Sequence, residues 1–150
     1  MTQVSEPIRL AFEVGCAPER AFSLWTTRLA TWWPRDHAVD ADGVDDIVFE
    51  GHVGGRIYER TASGVEHQWG TVTAWEPPAR VAYLWHLHAD VADATAVEVR
   101  FEPAGSGRTR VAIVHSGWER LAEPAVERRA RNRQGWESVI PYFVAAISDT

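Results

Sequence analysis

His115 is the residue most able to do chemistry in this chain. It sits in an alternating run, Thr109 to Trp118, whose inward set is Val111, Ile113 and His115. A histidine on an apolar face either satisfies itself on a nearby polar group or gives a bound molecule one oriented hydrogen bond. Work as a general base needs a second polar group within reach, for which Tyr58, Glu59 and Tyr83 are the candidates. His86 and His88 fall on the other face of an earlier run, pointing outward at a spacing that suits a metal ion, with His67 as a third ligand. A site of that kind also needs outer support for its imidazoles, and no metal or other cofactor is assigned. Asp40, Asp42, Asp45 and Asp46 surround Gly43 in the manner of a calcium loop. The closing bidentate glutamate is missing, so the segment reads as a solvated acidic loop at a pocket rim. Cys16 is the single cysteine. It has no base beside it and reads as structural.

The second inventory is aromatic. Eight tryptophans in 150 residues imply a cavity walled by indoles or an unusually stiff core. The candidate walls are Trp69, Tyr83, Trp85, Trp118, Trp136 and Phe143, and the candidate polar anchors are His115 and Tyr58. Such a mixture of apolar surface and a few placed polar groups is what small-molecule pockets use.

Composition removes several classes of function. The 15 basic residues are all arginine, which excludes Schiff-base chemistry on a lysine. A net charge of −6 argues against nucleic acid, which needs a concentrated basic face. The one basic run, Arg128, Arg129, Arg131 and Arg133, lies beside Glu127 on an expected helix and reads as a solvated face. One cysteine permits no intrachain disulfide and suggests a reducing, cytoplasmic setting. Residues 1–9 lack an apolar core of signal-peptide length, and no window approaches the roughly 18 apolar residues of a membrane span. The arginine, alanine and valine bias suggests a GC-rich bacterial genome.

The elements that must position these residues emerge from periodicity. Ile8 to Val14 alternates as a half-buried strand. Pro18 and Glu19 open a short helix pair that ends at Trp32-Trp33-Pro34. Residues 35–46 read as a loop. Six strands then occupy 47–52, 56–62, 67–75, 81–88, 96–102 and 108–116, separated by Gly54-Gly55, Ser63-Gly64, Pro77-Pro78 and Gly105-Ser106-Gly107. Strand 67–75 is apolar on both faces, with the Trp69 face favoured as inward. A long helix over 123–147 carries Trp136, Val139, Ile140, Phe143 and Ile147 on one side. Gly135 and Pro141 predict a bend in it. The order β-α-α-β-β-β-β-β-β-α is an α+β, two-layer arrangement, taken as one domain over 1–150.

The landmarks in this order are Ala17-Pro18-Glu19-Arg20-Ala21-Phe22, Trp32-Trp33-Pro34, Gly54-Gly55-Arg56, Gly70-Thr71-Val72, Pro77 to Trp85, Thr109-Arg110-Val111, His115-Ser116-Gly117-Trp118 and Gly135-Trp136-Glu137. The chain thereby resembles the START-like (SRPBCC, helix-grip) superfamily, and within it the homologues of the activator of the 90-kilodalton heat-shock-protein ATPase. The resemblance implies a curved antiparallel sheet wrapped around the long C-terminal helix. That superfamily hosts lipid binders, polyketide cyclases and aromatases, hormone receptors and co-chaperone domains, with no shared catalytic motif to carry over. The leading expectation is a domain that binds a small, mainly hydrophobic, aromatic or polyketide-like molecule between sheet and helix. A protein-interaction module and a cyclase- or aromatase-type enzyme stand as alternatives. No catalytic residue is assigned, and partners are expected to be a small molecule or a protein, with no nucleic acid and no membrane. Oligomeric state is left open.

Overall fold

The computed structural model describes residues 6–40, 43–87, 91–121 and 125–148. Its elements are β1 (Ile8–Val14), α1 (Pro18–Trp25), β2 (Val44–Phe49), β3 (Arg56–Thr61), β4 (Glu66–Glu76), β5 (Arg80–Trp85), β6 (Thr95–Pro103), β7 (Thr109–Ser116) and α2 (Ala125–Ser148). The strands form one seven-stranded sheet in the order β1-β7-β6-β5-β4-β3-β2. Every pairing is antiparallel, and the first strand closes on the last, Ile8 opposite His115 and Val14 opposite Thr109. This is the expected α+β helix-grip arrangement.

Short connections explain the meander, because each leaves no room for anything but an antiparallel neighbour. Gly54 takes φ = +87° between β2 and β3, a backbone region in which a Cβ is strained. The second helix of the expected pair is not α-helical. Only single 3-10 turns at Leu29–Thr31 and Arg35–His37 form there. The Thr26 hydroxyl donates back to the Phe22 carbonyl at 2.7 Å and ends α1, and Pro34 prevents a new helix from continuing. β2 begins at Val44, inside the segment read as loop, and β5 stops at Trp85. The outward reading of His86 is corrected: its side chain is buried. His88, its proposed metal-binding companion, and Asp42 of the acidic loop lie outside the described residues.

β4 resolves its own ambiguity with two bulges. Its register slips against β3 at Trp69 and against β5 at Thr73. Each extra residue re-aims the side chains beyond it. Trp69 and Val72 are therefore both buried, and Trp75 packs against Phe22 and Phe49 on the same side. Between the bulges Gly70 passes so close to β5 that an added Cβ would lie 2.1 Å from the Leu84 carbonyl oxygen.

Around α1 the sheet–helix interior is packed with aromatic rings. Trp25 on α1 meets Trp32, Phe101 and Phe143 and stacks on Trp136 with ring centroids 5.9 Å apart. Phe143 also meets Phe12 and Trp32. Each such ring pair adds about 0.5–1.5 kcal/mol beyond the apolar area it buries. α2 buries Ala125, Trp136, Val139, Phe143 and Ile147 and runs unbroken through Gly135 and Pro141.

Candidate ligand-binding cleft

Open space survives at the N-terminal half of α2. A cleft of about 470 Å³ lies between that helix, the turn carrying Trp33 and His37, and the end of β5 at Trp85 and Leu87. Its helical wall is a stripe at spacings of three and four, namely Arg128, Arg131, Asn132, Gly135, Ser138 and Val139. At about 1.5 Å per residue the stripe is roughly 16 Å long. Gly135 is why the wall recedes, since a Cβ built there meets nothing within 4 Å. The indoles of Trp33, Trp85 and Trp136 form the aromatic end, with Trp85 and Trp136 stacked at 6.4 Å and Trp33 edge-on to Trp85 at 5.9 Å. Arg128, Arg131 and Asn132 make the opposite end polar.

Hydrogen bonds behind the cleft fix those indoles. Trp136 donates its Nε1–H to His115 Nδ1 at 3.0 Å. An indole can only donate, so Nδ1 accepts, and the neutral ring carries its hydrogen on Nε2. That hydrogen goes to the Thr95 hydroxyl at 2.6 Å, and Thr95 in turn donates to the Trp85 carbonyl at 3.4 Å. The His115 carbonyl accepts from Trp118 Nε1 at 2.9 Å. Burial first, and the Arg128 charge second, push the His115 imidazole down to about 3. A ring that stays neutral and has both nitrogens occupied positions its neighbours. On the opposite flank, Glu59 is fully buried and accepts three N–H groups, from Trp69 Nε1 at 2.7 Å, Val39 at 2.6 Å and Asp40 at 2.8 Å. It ties the loop after His37 to the sheet and holds Trp69, which packs on Trp33 at 5.4 Å. Among the described residues, no three of His, Cys, Asp and Glu converge as a metal site would require.

A family model described as Activator of Hsp90 ATPase homolog 1-like protein matches residues 16–147. The chain belongs to this family. An anthrahydroquino-γ-pyrone synthase of known structure is 35% identical, over 80% of this chain and 82% of its own, with a TM-score of 0.59. A self-sacrificing resistance protein from Micromonospora echinospora superimposes with a TM-score of 0.77 at 24% identity, covering 98% of this chain and 97% of that one. An HSP90 activator from Plasmodium falciparum gives 0.67 at 19% identity, covering 96% of each chain. The last two likenesses establish the START-like fold and nothing finer. No curated protein sequence matches the chain.

In this member of the activator-homologue family the residues expected at the site divide. Trp85 and Trp136 line the cleft. Trp69, Tyr83, Trp118 and Phe143 are buried in the interior, where their partners are other protein side chains. Tyr83 accepts from Trp25 Nε1 at 3.3 Å, and burial pushes its phenol well above the ordinary value. His115 lies behind Trp136. Tyr58 departs furthest from expectation. It alternates with the core residues Ile57 and Glu59, so it takes the outer face, where Arg56 covers its ring at 4.2 Å and Arg60 donates to its hydroxyl at 3.0 Å. Sequence reasoning misses His37, Arg128, Arg131 and Asn132 as site residues, and it leaves Trp33 and Leu87 out of the candidate walls although both are bulky and apolar. The stripe at 128, 131, 132 and 135 is visible as one helix face. The wall opposite it is not.

Proposed function

We propose that this domain binds a small, mainly hydrophobic, flat aromatic molecule of the polyketide-like kind in the cleft beside α2. The observation that carries the reading is the cleft itself, about 470 Å³ with three indoles at one end and polar groups at the other. That volume falls within the range of small-molecule sites, and the chemistry of the lining is theirs too. The 35% identity to an anthrahydroquino-γ-pyrone synthase supports a ligand of fused rings. A ring-packed core also suits a protein-interaction module, but a cleft of about 470 Å³ with a few placed polar groups has the size and lining of a small-molecule site.

The test is a titration of flat aromatic, polyketide-like and lipid ligands, read by tryptophan fluorescence and thermal shift, on the native protein and on Gly135→Leu. Leucine suits a helix and projects into the open space. The expected result is a response to fused-ring ligands that Gly135→Leu abolishes while its own melting cooperativity is kept. A native protein silent to every class, or a Gly135→Leu variant that still responds, overturns the reading. The same synthase favours a second reading, in which the bound molecule is also cyclised. Product analysis after incubation with a linear polyketide-type precursor separates binding from turnover.

A further inference from the structure

The cleft is basic in an acidic protein. The chain carries 21 aspartates and glutamates against 15 arginines. The described residues lining the cleft nevertheless include Arg128, Arg131 and His37 and no acidic side chain. The other arginines of this segment are occupied: Arg129 donates to the carbonyls of Glu6 and Pro7, and Arg133 pairs with Glu137 at 3.5 Å. Arg128 donates to one neutral acceptor, the Asp93 carbonyl, at 3.2 Å. Arg131 has no hydrogen bond or ion pair among the described residues. Both cleft arginines stand in the first two turns of α2, where the helix dipole already contributes positive potential and cations are disfavoured. Arg128 is half-buried and Arg131 exposed at the cleft wall, and among the described residues no carboxylate pairs with either, so both guanidinium groups are open to an anion.

We infer that the aromatic molecule bound in the cleft carries an anionic oxygen (a carboxylate, or a phenolate or enolate) and that Arg128 and Arg131 receive it. This deepens the binding reading above and rests on it. The rings occupy the end walled by Trp33, Trp85 and Trp136, and the charged edge lies toward the helix N-terminus, with the Asn132 amide beside it as a further donor. A guanidinium suits this task because its fork of N–H groups meets two oxygens at once, whereas a neutral isostere leaves part of the fork unpaired.

The experiment uses the full chain and aromatic acids of one to three fused rings, each compared with its own carboxamide, by calorimetry and ligand-observed NMR. The variants are Arg128→Gln, Arg131→Gln and, as a control of equal charge change outside the cleft, Arg133→Gln. The expected result is that the acid binds at least tenfold tighter than its amide. That ratio falls toward one in Arg128→Gln and Arg131→Gln, stays unchanged in Arg133→Gln, and shrinks as salt is raised. Equal binding of acid and amide to the native protein overturns the charge assignment and leaves the aromatic cleft standing. A loss of preference in Arg133→Gln as large as in the cleft variants shows a general effect of net charge, and overturns it too. Binding of neither member of any pair overturns the aromatic cleft together with the charge assignment.

Discussion

His115 is a neutral imidazole wedged between Trp136 and Thr95, and its protonation is coupled to folding. Its value in the folded chain is about 3, against an ordinary 6.5. Between those limits the unfolded chain binds the extra proton, so stability is complete above pH 6.5 and declines as the pH falls, by about 1.4 kcal/mol per unit. Buried His86, also shifted down by burial, contributes with the same sign. Glutamine at 115 can accept from Trp136 and donate to Thr95 without titrating. Urea unfolding at pH 7 and pH 5 is expected to show His115→Gln losing about 2 kcal/mol less than the native protein over that interval. Glu59 offers a second test at this scale. In Glu59→Gln one of the three N–H groups now facing the carboxylate must face an NH₂ instead. A loss of about 1–3 kcal/mol is expected, seen as a lower melting temperature. That His115 points inward was legible from alternation. Its partners were not, because they lie 20 and 21 residues away on β6 and α2.

The elements were legible wherever one periodicity ruled. β1, β5, β6 and β7 each place the expected side chains inward, and the buried face of α2 is the one its spacing predicts. β4 was ambiguous because both its faces are rich in large apolar groups, and bulges that bring Trp69, Val72 and Trp75 to one side leave no mark in a period-two pattern. Gly70 between them gives the prediction proper to this scale. Its substitution by alanine drives a methyl into the Leu84 backbone carbonyl, which cannot rotate away. A loss of about 3 kcal/mol is expected in chemical denaturation. Gly135→Ala adds the same methyl to open space in α2 and is expected to stabilise by about 0.8–1 kcal/mol. The two alanine variants therefore move the unfolding midpoint in opposite directions.

For the whole molecule, the fold class and the succession of strands along the chain were readable from the sequence, whereas the pairing of β1 with β7 and the location of the opening were not. The number of indoles left an indole-walled cavity and a stiff core both open, and the leading expectation took the cavity. Those indoles instead pack on one another, and the opening lies where α2 lacks a side chain and a turn stands off from it. Arginines that looked like a solvated face became a wall only because Trp33 and Leu87 arrive opposite them. A ligand that binds only the folded chain raises its stability by RT ln(1 + [L]/Kd), about 2.7 kcal/mol at a hundredfold excess over Kd. With an aromatic acid as ligand, the rise in melting temperature is expected to shrink from about 20 mM to about 500 mM salt, measured by calorimetric scans of free and loaded protein.

The docking of β1 beside β7 at the edge of the sheet also bears on biosynthesis. Ile8 cannot meet His115 until that residue has left the ribosome. At about 5–20 residues per second, the amino-terminal segment waits on the order of 5–20 seconds with an unpaired edge while the intervening hairpins emerge. Nascent chains halted before the last strand are thus expected to be sensitive to protease at their leading end, and that sensitivity disappears once translation has passed it.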